Sequence, residues 1–254
     1  MILVLGGTTE GRELTQKLIE EGYPCLLSVV TNYGKELIGS LPIEIQVGAL
    51  DKLSLERLLS EKKVKIIIDA THPYAEEIKK IAVEAAEEAG IDYLRYEREP
   101  LPLPVDPNII VVEDYPAALD MLKMNQSGVF FSIGVRNLHY FKALWVEGSH
   151  PVWVKTYPDS KSLEICLQLG LKHEQIFAFH GAGNKELLKA MLNLTGAEWI
   201  VTKESGHLGG TDIKIAAGLD LGKKILIVKR PEIQSNIVFK RYEELLEYIK
   251  KPNL

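Results

Sequence analysis

The chain has 254 residues, with 30 Lys and Arg against 35 Asp and Glu, a net charge of −5 and a hydrophobic share of 46%. That composition excludes wholesale disorder, which goes with low hydrophobicity and high net charge. It also disfavours nucleic acid as a partner, because neutralising phosphates through bulk charge needs an excess of cations.

No apolar run reaches the ~18–20 residues that span a bilayer. The apolar start Met1–Leu5 lacks the flanks of a secretion signal. No membrane partner and a cytoplasmic location are therefore expected. Cys25 and Cys166 lie far apart and read as buried thiols. The histidines at 72, 139, 150, 173, 180 and 207 are dispersed, so no metal site is expected.

Taken in chain order, β-branched runs predict strands at Ile2–Leu5, Cys25–Val30, Glu44–Val47, Lys65–Asp69 and Tyr93–Tyr96. Helical segments fall at Glu10–Glu21, Ser54–Glu61 and Tyr74–Ala89, the last closed by Gly90. Four prolines between 100 and 107 favour an extended connector. Beyond it, strands are predicted at Ile109–Val112, Val129–Ser132, Val152–Lys155, Ile176–Phe179, Trp199–Thr202 and Ile225–Val228. Helices follow at Tyr115–Met124, Ser160–Leu169, Lys185–Leu194, Ile213–Leu221 and Tyr242–Lys250, and the last of them suits either half.

Strand–helix alternation with almost continuously apolar strands predicts an α/β protein of two Rossmann-like domains, with mainly parallel sheets flanked by helices. The expected division is 1–97 for coenzyme binding, 98–108 as linker, and 109–254 contributing substrate binding. The charge is uneven. Residues 1–105 hold 12 basic and 18 acidic groups, net −6, and residues 106–254 hold 18 and 17, net +1.

Ligands of open parallel sheets bind beyond the strands' carboxyl ends. At the first such end stands Leu5-Gly-Gly-Thr-Thr-Glu-Gly-Arg12, whose glycines and helix start suit a phosphate. The tight turn with Thr9 as N-cap would also stand without a ligand. The motif departs from G-x-G-x-x-G. The second strand ends at Ser28-Val-Val-Thr-Asn-Tyr-Gly-Lys35, without the acid that an NAD ribose would engage, which favours NADPH over NADH. The fourth ends at Asp69-Ala-Thr-His-Pro-Tyr-Ala75, where Pro73 suits a first helical turn and Thr71 or His72 suits a cap.

In the second half, Gly134-Val-Arg136, Phe179-His-Gly-Ala-Gly-Asn184 and Thr202-Lys-Glu-Ser-Gly-His-Leu-Gly-Gly-Thr-Asp-Ile-Lys214 follow three strands. Their glycines, hydroxyls and cations suit carboxylate or phosphate oxygens. No G-x-S-x-G elbow is present, and Tyr74 and Lys79 are five apart rather than the four of short-chain reductases.

In this order, Gly6-Gly7-Thr8-Thr9-Glu10-Gly11-Arg12, Asp69-Ala-Thr-His-Pro-Tyr-Ala75, Gly134-x-Arg136, Thr202-Lys-Glu-Ser-Gly206 with Thr211-x-x-Lys214, and Val228-Lys-Arg-Pro231 resemble the precorrin-6A reductase family of cobalamin biosynthesis. Gly11 stands where that family more often has Ala, and His207 and Leu208 occupy a loop usually built of smaller residues.

The resemblance implies reduction of a C=C bond of precorrin-6A, or of its cobalt complex, by NADPH or NADH. It implies coenzyme binding by Gly6, Gly7, Thr8, Thr9, Glu10, Arg12, Ser28, Thr71 and His72, and proton delivery by His72, Tyr74 or water. Arg136, Lys203, Ser205, Gly206, Thr211 and Lys214 are the candidates for binding the anionic tetrapyrrole. The competing readings are a Rossmann-like S-adenosylmethionine-dependent methyltransferase and a non-catalytic dinucleotide sensor.

Overall fold

Alternating short strands and amphipathic helices build two parallel sheets, each enclosed in its own unit. The computed structural model describes residues 1–39, 41–97, 101–148, 150–207, 209–231 and 237–250. One unit comprises Met1–Glu99 with Glu232–Leu254, the other Pro100–Pro231.

The first unit runs β1 (Ile2–Leu5), α1 (Thr9–Glu20), β2 (Cys25–Val29), α2 (Asn32–Glu36), β3 (Glu44–Val47), α3 (Lys52–Glu61), β4 (Ile66–Asp69), α4 (Glu76–Ala89) and β5 (Asp92–Tyr96). The second begins with β6 (Ile109–Val112), α5 (Tyr115–Lys123), β7 (Val129–Ser132), a 3-10 segment (Val135–Phe141), α6 (Ala143–Val146) and β8 (Val152–Thr156). It continues through α7 (Ser160–Gln168), β9 (Ile176–Ala178), α8 (Lys185–Thr195), β10 (Trp199–Lys203), α9 (Thr211–Asp220) and β11 (Lys224–Val228). The chain then adds β12 (Val238–Phe239) and α10 (Tyr242–Ile249) to the first unit.

The strand orders are β3-β2-β1-β4-β5-β12 and β9-β8-β7-β10-β11-β6. Both follow the doubly wound 3-2-1-4-5-6 arrangement, with the switch point beside the first and fourth strands. In the first sheet the sixth place is filled by a strand from the chain's end. In the second it is filled by the strand that enters first.

Side-chain alternation serves two faces of the first sheet. Ile2, Val4, Leu27, Ile66 and Ile68 pack with Leu14 and Leu18 of α1. Leu3, Leu5, Leu26 and Ile67 pack with Leu55 and Leu59 of α3 and with Ala82, Ala85 and Ala86 of α4. In the second sheet Phe130, Ile200, Ile225 and Ile227 meet Leu188 and Leu192 of α8 and Ile215 of α9.

The two-domain α/β architecture matches expectation, but its boundaries need correction. The sequence assigns 109–254 to one domain, whereas β12 pairs with β5 through Val238↔Arg95 and Phe239↔Tyr96. Leu245 and Ile249 of α10 enter the same cluster as Ile2 and Val4. A two-residue strand offers no periodicity to read, and an amphipathic helix fits either core by composition alone. Residues 232–236 and 251–254 of that assignment lie outside the described residues.

The extended connector expected at 98–108 does not stand apart from both units. Leu103 packs against the second unit's core, which draws the segment from 101 onward into that unit. Residues 98–100 lie outside the described residues. Among the described residues no helix is long and apolar enough to cross a membrane.

Candidate functional site

The first group of candidates gathers at the switch point of the first sheet. Register sets Leu5 opposite both Ser28 and Asp69, so the exits of β1, β2 and β4 lie side by side. Gly6 N donates to Ser28 O at 2.8 Å, and Thr8 Oγ1 donates to Ala70 O at 2.8 Å. Thr8, not Thr9, caps α1: its hydroxyl accepts from Gly11 N at 3.0 Å. Thr9 Oγ1 instead accepts from Arg12 at 3.0 Å.

Gly7 adopts φ +109°, a left-handed backbone that resists any side chain, and the space a Cβ would enter is open. Gly11 answers a packing demand, since a Cβ there would come within 3.0 Å of Gly6 Cα. Glu10 lies in the first turn of α1, where the helix dipole favours an acid.

The Thr71–Tyr74 corner is a turn rather than a helix start. α4 begins only at Glu76, after Ala75, and has no side-chain cap. Neither Thr71 nor His72 caps it, and Pro73 lies before the helix. His72 Nδ1 accepts from Tyr74 N at 3.3 Å, and His72 O accepts from Ala75 N at 2.9 Å. The His72 and Tyr74 rings sit 5.6 Å apart. Thr71 Oγ1 is buried and has no hydrogen-bond partner among the described residues.

Beneath this corner lies a buried charged network that sequence reading missed. Asp69 Oδ1 accepts from Thr71 N at 2.8 Å and pairs with Arg95 at 3.0 Å. Asp69 Oδ2 accepts from Tyr93 OH at 2.6 Å. Burial, then the Asp69 carboxylate, pushes the Tyr93 phenol well above its ordinary range. The Lys79 ammonium donates to Pro73 O. Burial and the neighbouring Arg95 lower its pKa to about 8. One signal was available: Lys79 stands three residues before Ala82 on the buried face of α4.

The second group lies at the corresponding edge of the other sheet, where β7, β8, β9 and β10 end. Arg136 is exposed after β7, while the Asn137 side chain is committed to Tyr115 OH at 2.7 Å. Thr211 is fully buried. Its hydroxyl donates to Lys203 O at 3.0 Å, accepts from Ser205 N at 3.1 Å and lies 3.2 Å from Ser205 Oγ. Gly206 O accepts from Thr211 N at 3.1 Å. Ser205, Gly206 and Thr211 thus tie the loop that separates Lys203 from Lys214.

Lys214 is buried and donates to Gly209 O at 2.8 Å. Burial lowers its pKa to about 7, aided by Lys155 and Lys203 and opposed by Asp212. Burial and Arg136 lower that of Lys203 to about 8. Lys155, near the end of β8, escaped the sequence reading and belongs to the same electrostatic group. Among the described residues neither Arg136, Lys155 nor Lys214 forms an ion pair. Three cations outside ion pairs at one sheet edge are suited to an external polyanion. Leu208 lies outside the described residues.

A family model described as precorrin-6x reductase CbiJ/CobK matches residues 1–250. The cobalt-precorrin-6A reductase of Priestia megaterium is 33% identical, over 97% of this chain and 96% of the relative. That of Methanocaldococcus jannaschii is 32% identical, over 98% and 97%. The solved structure of CobK precorrin-6A reductase aligns with a TM-score of 0.78 at 23% identity, over 98% of this chain and 95% of that one, and supports the fold. Sequence and architecture thus agree along almost the whole chain, and the methyltransferase reading gives way. The chain belongs to the precorrin-6x reductase family and is an oxidoreductase.

Proposed function

We propose that the chain reduces one carbon–carbon double bond of the macrocycle of cobalt-precorrin-6A, or of cobalt-free precorrin-6A, to the 6B form, within the corrin pathway of cobalamin biosynthesis, with NADPH as reductant. The observation that carries this reading is the family match across residues 1–250, which spans both strand-edge sites. The cobalt complex is favoured because both relatives quoted above bear its name.

The residues fit a dinucleotide coenzyme. Gly7 leaves open the space beside the N-terminus of α1, and Thr71 holds a buried hydroxyl without a partner among the described residues. Gly6, Gly7, Thr8, Thr9, Glu10 and Arg12 would hold the phosphates and ribose with Ser28, Thr71 and His72, using the helix N-terminus as an anion site. No acid stands between the end of β2 and the last residue of α2, which favours the coenzyme bearing a 2′-phosphate.

When bound, NADPH supplies the hydride. The chain's task is then to hold the acceptor carbon in place, to exclude competing reactions and to deliver one proton to the other carbon. His72 and Tyr74, paired at the coenzyme corner, are the candidates for that proton. Arg136, Lys203 and Lys214 would bind acetate and propionate groups, with Ser205, Gly206 and Thr211 shaping their loop. Titration with NADPH, NADH and S-adenosylmethionine, followed by anaerobic addition of each substrate form, tests the reading. Binding of NADPH with no oxidation on either substrate would favour a sensor instead.

A further inference from the structure

We infer that Lys155, with the rings of Tyr157 and His180 beside it, forms a further subsite for the anionic macrocycle at the carboxyl ends of β8 and β9. Its ammonium takes one peripheral carboxylate, and the two rings bound an apolar edge of the ligand. The inference rests on the proposed substrate class and adds residues that the sequence motifs do not contain.

Alternation along β8 buries Val152, Val154 and Thr156 and turns Lys155 to the other side of the strand. There its ammonium donates to Gly181 O at 2.6 Å and lies over the rings of Tyr157, at 4.8 Å, and Phe179, at 4.7 Å. His180 meets Tyr157 edge to face at 5.5 Å, and Tyr157 is 51% exposed. Aromatic faces beside a cation suit a flat, apolar ring system fringed with carboxylates.

Two glycine loops bring Lys155 into the neighbourhood of the residues already assigned. Lys155 holds Gly181 O, and Lys214 holds Gly209 O. The loops meet where Gly210 abuts Ala182, so closely that a Cβ on Gly210 would come within 2.3 Å of Ala182 Cβ.

An ammonium has three N–H donors, and the hydrogen bonds among the described residues use one on each of these lysines. Neither has a carboxylate at ion-pair distance among those residues. Burial also lowers the Lys155 pKa. A neutral donor would hold Gly181 O without the repulsion that Lys155 exerts on Lys214. Retaining a charge there is accounted for by an anionic ligand that spans both lysines.

The test compares Lys155→Gln, which keeps a donor for Gly181 O and removes the charge, with Lys155→Arg and with Tyr157→Ala and Tyr157→Phe. The expected result for Lys155→Gln is a macrocycle KM raised about tenfold or more, the loss of one charge-assisted hydrogen bond. Its kcat and NADPH affinity should match wild type and its thermal midpoint should not fall, and Lys155→Arg should recover most of the affinity. Tyr157→Ala should raise the same KM, and Tyr157→Phe should not.

An unchanged KM in Lys155→Gln, with wild type active, overturns the subsite and leaves the proposed reaction standing. So does a lowered thermal midpoint with a parallel loss of NADPH affinity, the pattern of a purely structural staple. Wild type that fails to oxidise NADPH with either substrate form removes the proposed reaction itself, and the subsite with it.

Discussion

Arg95 and Asp69 meet at 3.0 Å with their side chains 1% and 0% exposed, directly beneath the Thr71–Tyr74 corner. Arg95 also donates to Asp69 O at 3.0 Å and pairs with Glu97 at 3.2 Å. A buried charge left without its partner is strongly destabilising. Arg95→Met should therefore lower unfolding stability by about 3–5 kcal/mol. Tyr93→Phe, which removes only a hydroxyl from Asp69, should cost about 1–3 kcal/mol. Urea denaturation gives both values. Because Asp69 fixes Thr71 N, NADPH titration should show weakened binding even in the milder Tyr93→Phe variant.

Thr71 separates binding from stability. Its buried hydroxyl has no partner among the described residues, so Thr71→Val removes no described hydrogen bond. Thermal unfolding of the free protein should be unchanged or slightly improved. NADPH affinity should fall about five- to tenfold, the equivalent of one neutral hydrogen bond. A drop in stability with unchanged NADPH binding would assign the hydroxyl to the fold instead.

The depressed lysines set a pH dependence with two opposite signs. In the proposed substrate site Lys214, at about 7, and Lys203, at about 8, would bind a carboxylate as cations. The macrocycle KM should thus be lowest below that range and rise as pH passes through it. Folding responds the other way. A lysine whose pKa falls on folding penalises the native state at low pH, and the penalty fades as pH rises toward its unfolded value. The stability of Lys214→Met relative to wild type should hence be greatest near about pH 6 and smallest near about pH 10. Denaturation at several pH values checks it.

The chain's end should matter to the first unit. Leu245 is fully buried in the cluster that holds Ile2, Val4 and Leu18. Leu245→Ala should cost about 2–5 kcal/mol, as large-to-small changes in cores do. NADPH should protect that variant against heat in proportion to its occupancy of the glycine loop.

Much of this architecture is written locally. The run Ile2–Leu5, the glycine turn after it and the Glu10-to-Glu20 periodicity specify a strand, a tight turn and a helix from neighbouring residues alone. What escaped reading depends on pairing across long separations. Asp69 and Arg95 become partners only through the β4–β5 register, which sets them opposite one another. Lys155 gains meaning from Gly181 and Lys214, brought near it by strand order. Val238 and Phe239 are too few to announce a strand, and which sheet edge takes them follows from the tertiary fold. The Thr71–Tyr74 corner was legible as a polar strand exit but not as a turn, because Lys79 and Asp69 hold its backbone from outside the motif.

The most direct measurement is an anaerobic single-turnover reaction of the purified protein with cobalt-precorrin-6A and NADPH. Coenzyme absorbance and product mass should be followed together. Hydride transfer requires one NADPH oxidised per macrocycle, with a product heavier by one hydride and one proton. NADPH that binds and remains reduced, or a product heavier by a methyl group, would contradict the proposed reaction.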